Sequence, residues 1–314
     1  MLENEKSCYD LLVVTGPTAS GKTALAAELA LRLDGEVISA DSRQVYRKMN
    51  LGSGKDYSEY VVEGNKIPYH LIDVAEPGYK YNVFEFQRDF MEAFRNISGR
   101  KKLPVVCGGS GMYLDSIVSG YNLVEVPPDH NLRSALEEKN MDELKGILES
   151  YKKLHNVTDL DTRKRVIRAI EIEHYTGNRR GNGIVFPKFS PFIAGILYSR
   201  EKRRARISER LRQRFESGMV DEVRELLRSG LSPESLIYYG LEYKYITLYV
   251  TGRLNFDEMF KGLETAIHRY AKRQMTWFRG MERKGIKIHW IDGELPREKK
   301  VEMILKKFSS RPEM

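Results

Sequence analysis

The 314 residues are 41% hydrophobic, enough for a sizeable core, and no apolar run approaches the roughly 18 to 20 residues that span a bilayer, so a water-soluble chain without membrane contact is expected. The polar, acidic start MLENEKSCYD is unlike a signal peptide, and two cysteines, Cys8 and Cys107, exclude a disulfide framework and fit a reducing cytoplasm. The net charge of +8 is unevenly placed: residues 1–120 carry 14 Lys and Arg against 16 Asp and Glu, the remainder 38 against 28, which suits a polyanionic partner or a solvated charged face.

In chain order, residues 11–14 form a short apolar run that enters GPTASGKT, and TALAAELALRL at 23–33 has helix-forming residues with apolar spacing, which predicts strand, loop, helix. EVISA at 36–40 reads as a second buried strand, 84–97 as a helix, and LPVVC at 103–107 as a third strand running into the Gly-rich turn and helix GGSGMYLDSIV. Alternating strands and helices predict a parallel sheet covered on both faces. From residue 121 to 190 the character changes to helical segments at 132–154 and 161–177, read as a helical insertion between core segments 1–120 and 191–314. The core resumes with a strand at 192–198, long basic helices over 200–228 and 256–283, and a last strand-like IKIHWI. The expected fold is α/β, a P-loop NTPase-like parallel sheet with an all-helical insertion domain.

GPTASGKT has the G-x-x-x-x-G-K-[ST] spacing of a phosphate cradle. Gly16 and Gly21 let the backbone of Thr18, Ala19 and Ser20 turn its N–H groups inward, Lys22 adds a point charge, Thr23 offers a hydroxyl to Mg²⁺, and the following helix presents its positive end. A nucleotide hydrolase also needs a strand-end carboxylate for Mg²⁺, but the third strand ends in Cys107-Gly108-Gly109. Asp41, just after the second strand, is the strong candidate; such a residue can cap a helix, hold Mg²⁺ through water or act as a general base. The six histidines show no metal-ligand spacing.

Taken together, GPTASGKT, ISADSRQVYR, HLIDV, GGSGMYLDSIVSG and AKRQMTWFRG resemble the tRNA dimethylallyltransferases, in order and nearly end to end, in their compact bacterial form. The resemblance implies transfer of an isopentenyl group from dimethylallyl diphosphate to the adenosine 3′ of the anticodon in tRNA. The loop then holds the donor's diphosphate with Mg²⁺, Asp41 is the general base, and Arg206, with Arg210 as second choice, completes the diphosphate clamp. It also implies tRNA contacts from Asp41, Ser42, Arg43 and Gln44, from Ser110, from Asp161, Thr162, Arg163, Lys164 and Arg165, from Gly240, and from Lys272, Arg273, Gln274, Trp277 and Arg279. A monomer is expected. The run Tyr239-Gly240-Leu241-Glu242-Tyr243 departs from the family's I-G-Y-K-E-like pattern, and GGSGMY replaces the commoner GGTGLY. The rivals are a prenyltransferase acting on free AMP, ADP or ATP, an ATP-dependent nucleoside or nucleotide kinase, and an RNA-binding protein with a vestigial loop. The missing strand-end acid and the basic helices weigh against a kinase, the helical insertion and AKRQMTWFRG favour tRNA over a free nucleotide, and intact Lys22, Thr23 and Asp41 argue against decay.

Overall fold

The computed structural model describes residues 9–151, 160, 162–178 and 186–310. It divides into two compact units, Met1–Gly120 with Lys188–Met314, and Tyr121–Pro187.

The first unit is built on β1 (Leu11–Thr15), β2 (Gly35–Ser39), β5 (Tyr69–His70), β6 (Leu103–Gly108), β7 (Pro191–Leu197) and β8 (His289–Asp292), in the order β5-β2-β6-β1-β7-β8. Every pairing in this sheet is parallel. All five residues of β1 and of β2 are buried, as continuous apolar runs in a doubly covered parallel sheet must be. A small antiparallel pair, β3 (Val61–Val62) and β4 (Asn65–Lys66), stands apart.

From β1 the chain passes through α1 (Lys22–Arg32) to β2 on one side, whereas from β6 it leaves through α3 (Gly111–Val118) and returns at β7 on the other. Right-handed crossovers in opposite directions put their helices on opposite faces and open a crevice at the carboxyl ends of β1 and β6. The register brings the rim together, since Thr15 pairs with Gly108 and Ser39 with Cys107. The phosphate loop, the Asp41 turn and the Gly108 turn therefore leave the sheet side by side.

Leu25, Ala26, Leu29 and Ala30 of α1 share a core with Val301, Ile304 and Phe308 of α12 (Arg297–Ser309). The predicted helix at 84–97 is α2 (Val83–Gly99), started by a reciprocal capping pair of Asn82 and Glu85. The stretch 200–228 is two helices, α7 (Arg200–Glu216) and α8 (Met219–Arg228), because Gly218 takes a left-handed φ of 94° that stops the first. After them come α9 (Pro233–Tyr238), α10 (Leu241–Val250) and the 28-residue α11 (Phe256–Arg283).

The described residues of the second unit form α4 (His130–Glu137), α5 (Met141–Tyr151) and α6 (Arg163–Asn178) around Leu136, Leu144, Leu148, Val166 and Ile170. The predicted segment 132–154 is interrupted at Asn140, whose side chain accepts from the Asp142 and Glu143 N–H groups at 3.0 Å and restarts the helix. Among the described residues no helix is long and apolar enough to cross a membrane.

Candidate active site

A cavity of about 300 Å³ lies in the crevice, lined by Thr18, Lys22 and Thr23 of the phosphate loop, Asp41 to Gln44, Gly52 to Gly54, Cys107 to Gly109, Arg210, Arg214, Gly240 to Glu242, and Ile267, Tyr270, Arg273 and Gln274 of α11. The loop meets α1 through Gly21, which takes a left-handed φ of 77°. Lys22 Nζ donates to the Pro17 carbonyl at 2.9 Å, and Arg210 donates to Thr18 Oγ1. Neither cation forms an ion pair among the described residues. Burial pushes both below their ordinary pKa, and each is further depressed by a neighbouring guanidinium, Arg210 beside Lys22 and Arg214 beside Arg210. Two partly desolvated positive charges beside the N-terminus of α1 make a strong seat for a multiply charged anion.

Asp41 faces this seat. One of its oxygens accepts from the Arg43 N–H at 2.9 Å, an Asx turn, and it makes no other side-chain hydrogen bond among the described residues. Ser110 occupies the N-cap position of α3, yet its hydroxyl does not cap the helix: it accepts from the Ser42 N–H at 3.0 Å and so holds the Asp41 turn against the Gly108 turn. Gln44 accepts from Ser39 Oγ at 3.0 Å and donates to the Gly54 carbonyl at 3.3 Å.

Gln274 ties the walls together. Its side-chain oxygen accepts from the Thr18 N–H at 2.9 Å and its nitrogen donates to the Gly109 carbonyl at 2.8 Å. A Cβ at Gly109 would lie 2.6 Å from that nitrogen, and one at Gly111 2.4 Å from the Trp277 ring, so the turn needs glycine where α11 presses on it. Trp277 is half-buried against this turn, and its neighbour Phe278 is wholly buried in the core.

The two candidate arginines part company. Arg210 lines the cavity; Arg206, one turn earlier and exposed, donates from Nε to the Ala19 carbonyl at 3.0 Å and lies 4.8 Å over the Tyr198 ring, bracing the loop from outside. Sequence reasoning missed Arg214, Glu242 and Tyr270 on the cavity wall. Tyr270 was within reach of it, because one helical turn separates it from Arg273 and Gln274. Sequence reasoning also missed Glu222, which accepts from the Asn50, Leu51 and Gly52 N–H groups at 2.7–3.0 Å and from Tyr243 Oη at 2.8 Å, fixing the loop that carries Gly52 to Gly54.

A family model described as IPP transferase matches residues 44–281, and one described as isopentenyl transferase matches residues 9–72. A tRNA dimethylallyltransferase 2 of Phocaeicola vulgatus is 60% identical over 297 residues, covering 95% of this chain and 97% of that protein. One of Bacteroides fragilis is 58% identical over 299 residues, covering 95% and 98%. The chain belongs to the IPP transferase family. Among solved structures, the full-length tRNA isopentenylpyrophosphate transferase of Bacillus halodurans matches with a TM-score of 0.70 at 32% identity over 95% of both chains. A eukaryotic dimethylallyltransferase, solved acting on tRNA, shares the fold at a TM-score of 0.74 and 22% identity, over 90% of this chain and 73% of that one.

The residues that the likeness to the IPP transferase family marked for RNA contact are differently placed. Arg43, Arg273 and Gly240 line the cavity, and Lys272 and Arg279 are exposed on α11. In the second unit Lys164 and Arg165 are exposed, Arg163 donates to the Leu136 and Glu137 carbonyls at the end of α4, and Thr162 Oγ1 accepts from the Arg165 N–H at 3.4 Å; Asp161 lies outside the described residues. In the divergent run, Tyr239 is buried and its hydroxyl donates to the Tyr79 carbonyl at 3.0 Å, while Tyr243 bonds Glu222.

Proposed function

We propose that the chain transfers a dimethylallyl group from dimethylallyl diphosphate to the N6 amine of the adenosine 3′ of the anticodon in tRNA. The observation that carries this reading is the pairing of two carboxylate-free cations, Lys22 and Arg210, with a carboxylate, Asp41, across one cavity. The cations and loop amides take the diphosphate, which leaves with the electrons of the broken carbon–oxygen bond and is stabilised as its charge grows. The adenine amine, a poor nucleophile because its lone pair is delocalised, forms the new nitrogen–carbon bond while Asp41 accepts its proton. The target base has to leave its stack to reach the cavity, and Arg43, Tyr270 and Arg273 line the volume that receives it.

The donor set suits Mg²⁺. Thr23 offers a hydroxyl and Asp41 a carboxylate to the cavity, and Glu59, raised above its usual range by burial and by Asp56, lies beside Thr23. Among the described residues no cluster of three or more His, Cys, Asp or Glu is poised to hold a metal, which fits an ion held mainly by substrate oxygens and water. When bound, it supplies charge neutralisation for the diphosphate. Cys107, near the end of β6, is a buried thiol pushed up to about 12 by burial.

Unmodified tRNA incubated with labelled dimethylallyl diphosphate and Mg²⁺ is expected to gain the label on that adenosine, identified after digestion. Asp41→Asn should lower single-turnover transfer by about 10² to 10⁴ with RNA affinity nearly unchanged. Phosphate release from ATP in step with RNA turnover would move the reading to a kinase.

A further inference from the structure

A second depression, of about 540 Å³, lies between the first turns of α7 and a different face of α11. Arg200, Arg203 and Arg204 line it from α7, and Arg269, Lys272 and Arg279 from α11, against a single carboxylate, Glu264. None of these six cations makes an ion pair or a side-chain hydrogen bond among the described residues. Like charges gathered without a counter-ion destabilise the folded chain. Burial and the nearness of Arg279 and Arg200 depress Arg203. His268 sits in the same groove with both ring nitrogens buried and without a hydrogen-bond partner, an arrangement that leaves a polar group unsatisfied.

The groove is not isolated. A third depression shares Leu241 and Arg273 with the active-site cavity, and Thr265 and Arg269 with the groove. Cations therefore run without a break along α11 from the cavity to His268. A single small anion needs neither six cations nor a track leading away from the catalytic carboxylate, whereas a strand with a phosphate at every residue matches both.

We propose that this groove seats consecutive backbone phosphates of the RNA strand that delivers its adenosine to the cavity, with the buried, unpartnered imidazole of His268 behind them. The inference rests on the tRNA reading above and extends the RNA footprint to Arg200, Arg203, Arg204, Arg269 and His268. A phosphate beside the imidazole favours its charged form, so RNA binding is accompanied by proton uptake. The groups facing His268 are Arg203 and Arg204 of α7, Glu264, Arg269 and Lys272 of α11, and Tyr198 at the end of β7. In the free chain, burial and then Arg204 hold its pKa below the ordinary value.

The test is binding of an unmodified anticodon stem-loop RNA to the full chain over a salt series and a pH series, beside binding of dimethylallyl diphosphate and a melting curve. Arg200→Ala and Arg204→Ala, both at exposed positions, are each expected to reduce the log–log salt slope by somewhat less than one, leaving donor binding and melting unchanged. His268→Gln should keep the salt slope and remove the strengthening of RNA binding between about pH 7 and 5. Unchanged salt slopes in both arginine variants, in a chain that does transfer dimethylallyl groups to tRNA, would overturn the groove alone. Equal perturbation of the His268 ring resonances by millimolar inorganic phosphate and by RNA, with those slopes unchanged, would make it a small-anion site. Failure of the wild-type chain to bind the RNA would overturn the tRNA reading and the groove with it.

Discussion

The arginines of the helical unit and those at the carboxyl edge of the sheet are held in opposite ways. In the helical unit, Arg133 grips Glu171 through two hydrogen bonds of 2.8 Å, Arg168 pairs with the same carboxylate and donates to the Val126 carbonyl at 2.8 Å, and Arg163 closes on two carbonyls of α4. Burial pushes the Glu171 carboxyl up, but its bonds from Arg133, the Asp129 N–H and Arg168 outweigh that and hold it below the ordinary range. At the sheet edge, Lys22, Arg210 and the groove cations close on no carboxylate: none of them forms an ion pair among the described residues, although Asp41 and Glu264 lie near. Charge closed on a buried partner specifies a fold; charge left open waits for an anion from outside. A net charge of +8 cannot separate the two uses, because both are counted alike.

The sharpest way to break this contrast is Glu171→Ala. It strands two guanidiniums and the Asp129 N–H, and because the arginines are partly exposed the cost should sit at the low end for a broken buried pair, about 3 kcal/mol. Hydrogen exchange should show residues 121–187 opening first; a loss below about 1 kcal/mol would mean that these arginines are as free as the others. Gln274→Ala tests the neutral counterpart. The orphaned Thr18 N–H and Gly109 carbonyl should cost about 2 kcal/mol, read from a denaturant melt, with weaker donor binding than RNA binding would suggest.

Arg163→Ala sharpens the contrast within one helix. It should lose about 1 kcal/mol of stability and leave the RNA salt slope as it was, whereas Lys164→Ala should do the reverse. The smallest effects are those of pH, and their signs are opposite. Glu171 has a lowered pKa in the folded state, so its stabilisation is complete above its ordinary value of 4.5 and is lost as pH falls through the lowered one. Lys22 is depressed from 10.5 in the free chain and is raised by a bound diphosphate, so donor affinity should fall as pH rises through the depressed value toward 10.5. Lys22→Arg should flatten that fall in a calorimetric titration.

What the sequence made legible was what neighbours in the chain decide. GPTASGKT carries its own turn, and an acid directly after EVISA must stand at the sheet edge once the strand is recognised. The choice between Arg206 and Arg210 was of another kind. Four residues apart, they share a helix face, and only the seating of α7 against the loop turns one into the cavity and the other onto the Ala19 carbonyl. Gln274 was marked for RNA by the family resemblance of AKRQMTWFRG, yet its amide is engaged with two backbone groups of the same chain. The broken helices at Asn140 and Gly218 turn on single residues whose effect depends on where the following helix packs. β5, only two residues long, is held by pairing with β2 and by His70 Nε2 lying 2.8 Å from Glu36, neither of which periodicity can reveal.

The tie from Thr18 to Gln274 joins positions 256 residues apart, and the one from Thr18 to Arg210 joins positions 192 apart. During synthesis the phosphate loop leaves the ribosome long before either partner exists, so the nascent chain carries the cradle's local turn without these two ties. The seat proposed for the diphosphate is therefore completed late, when the segment carrying α11 docks, and a growing or prematurely ended chain lacks the wall that Ile267, Tyr270, Arg273 and Gln274 supply.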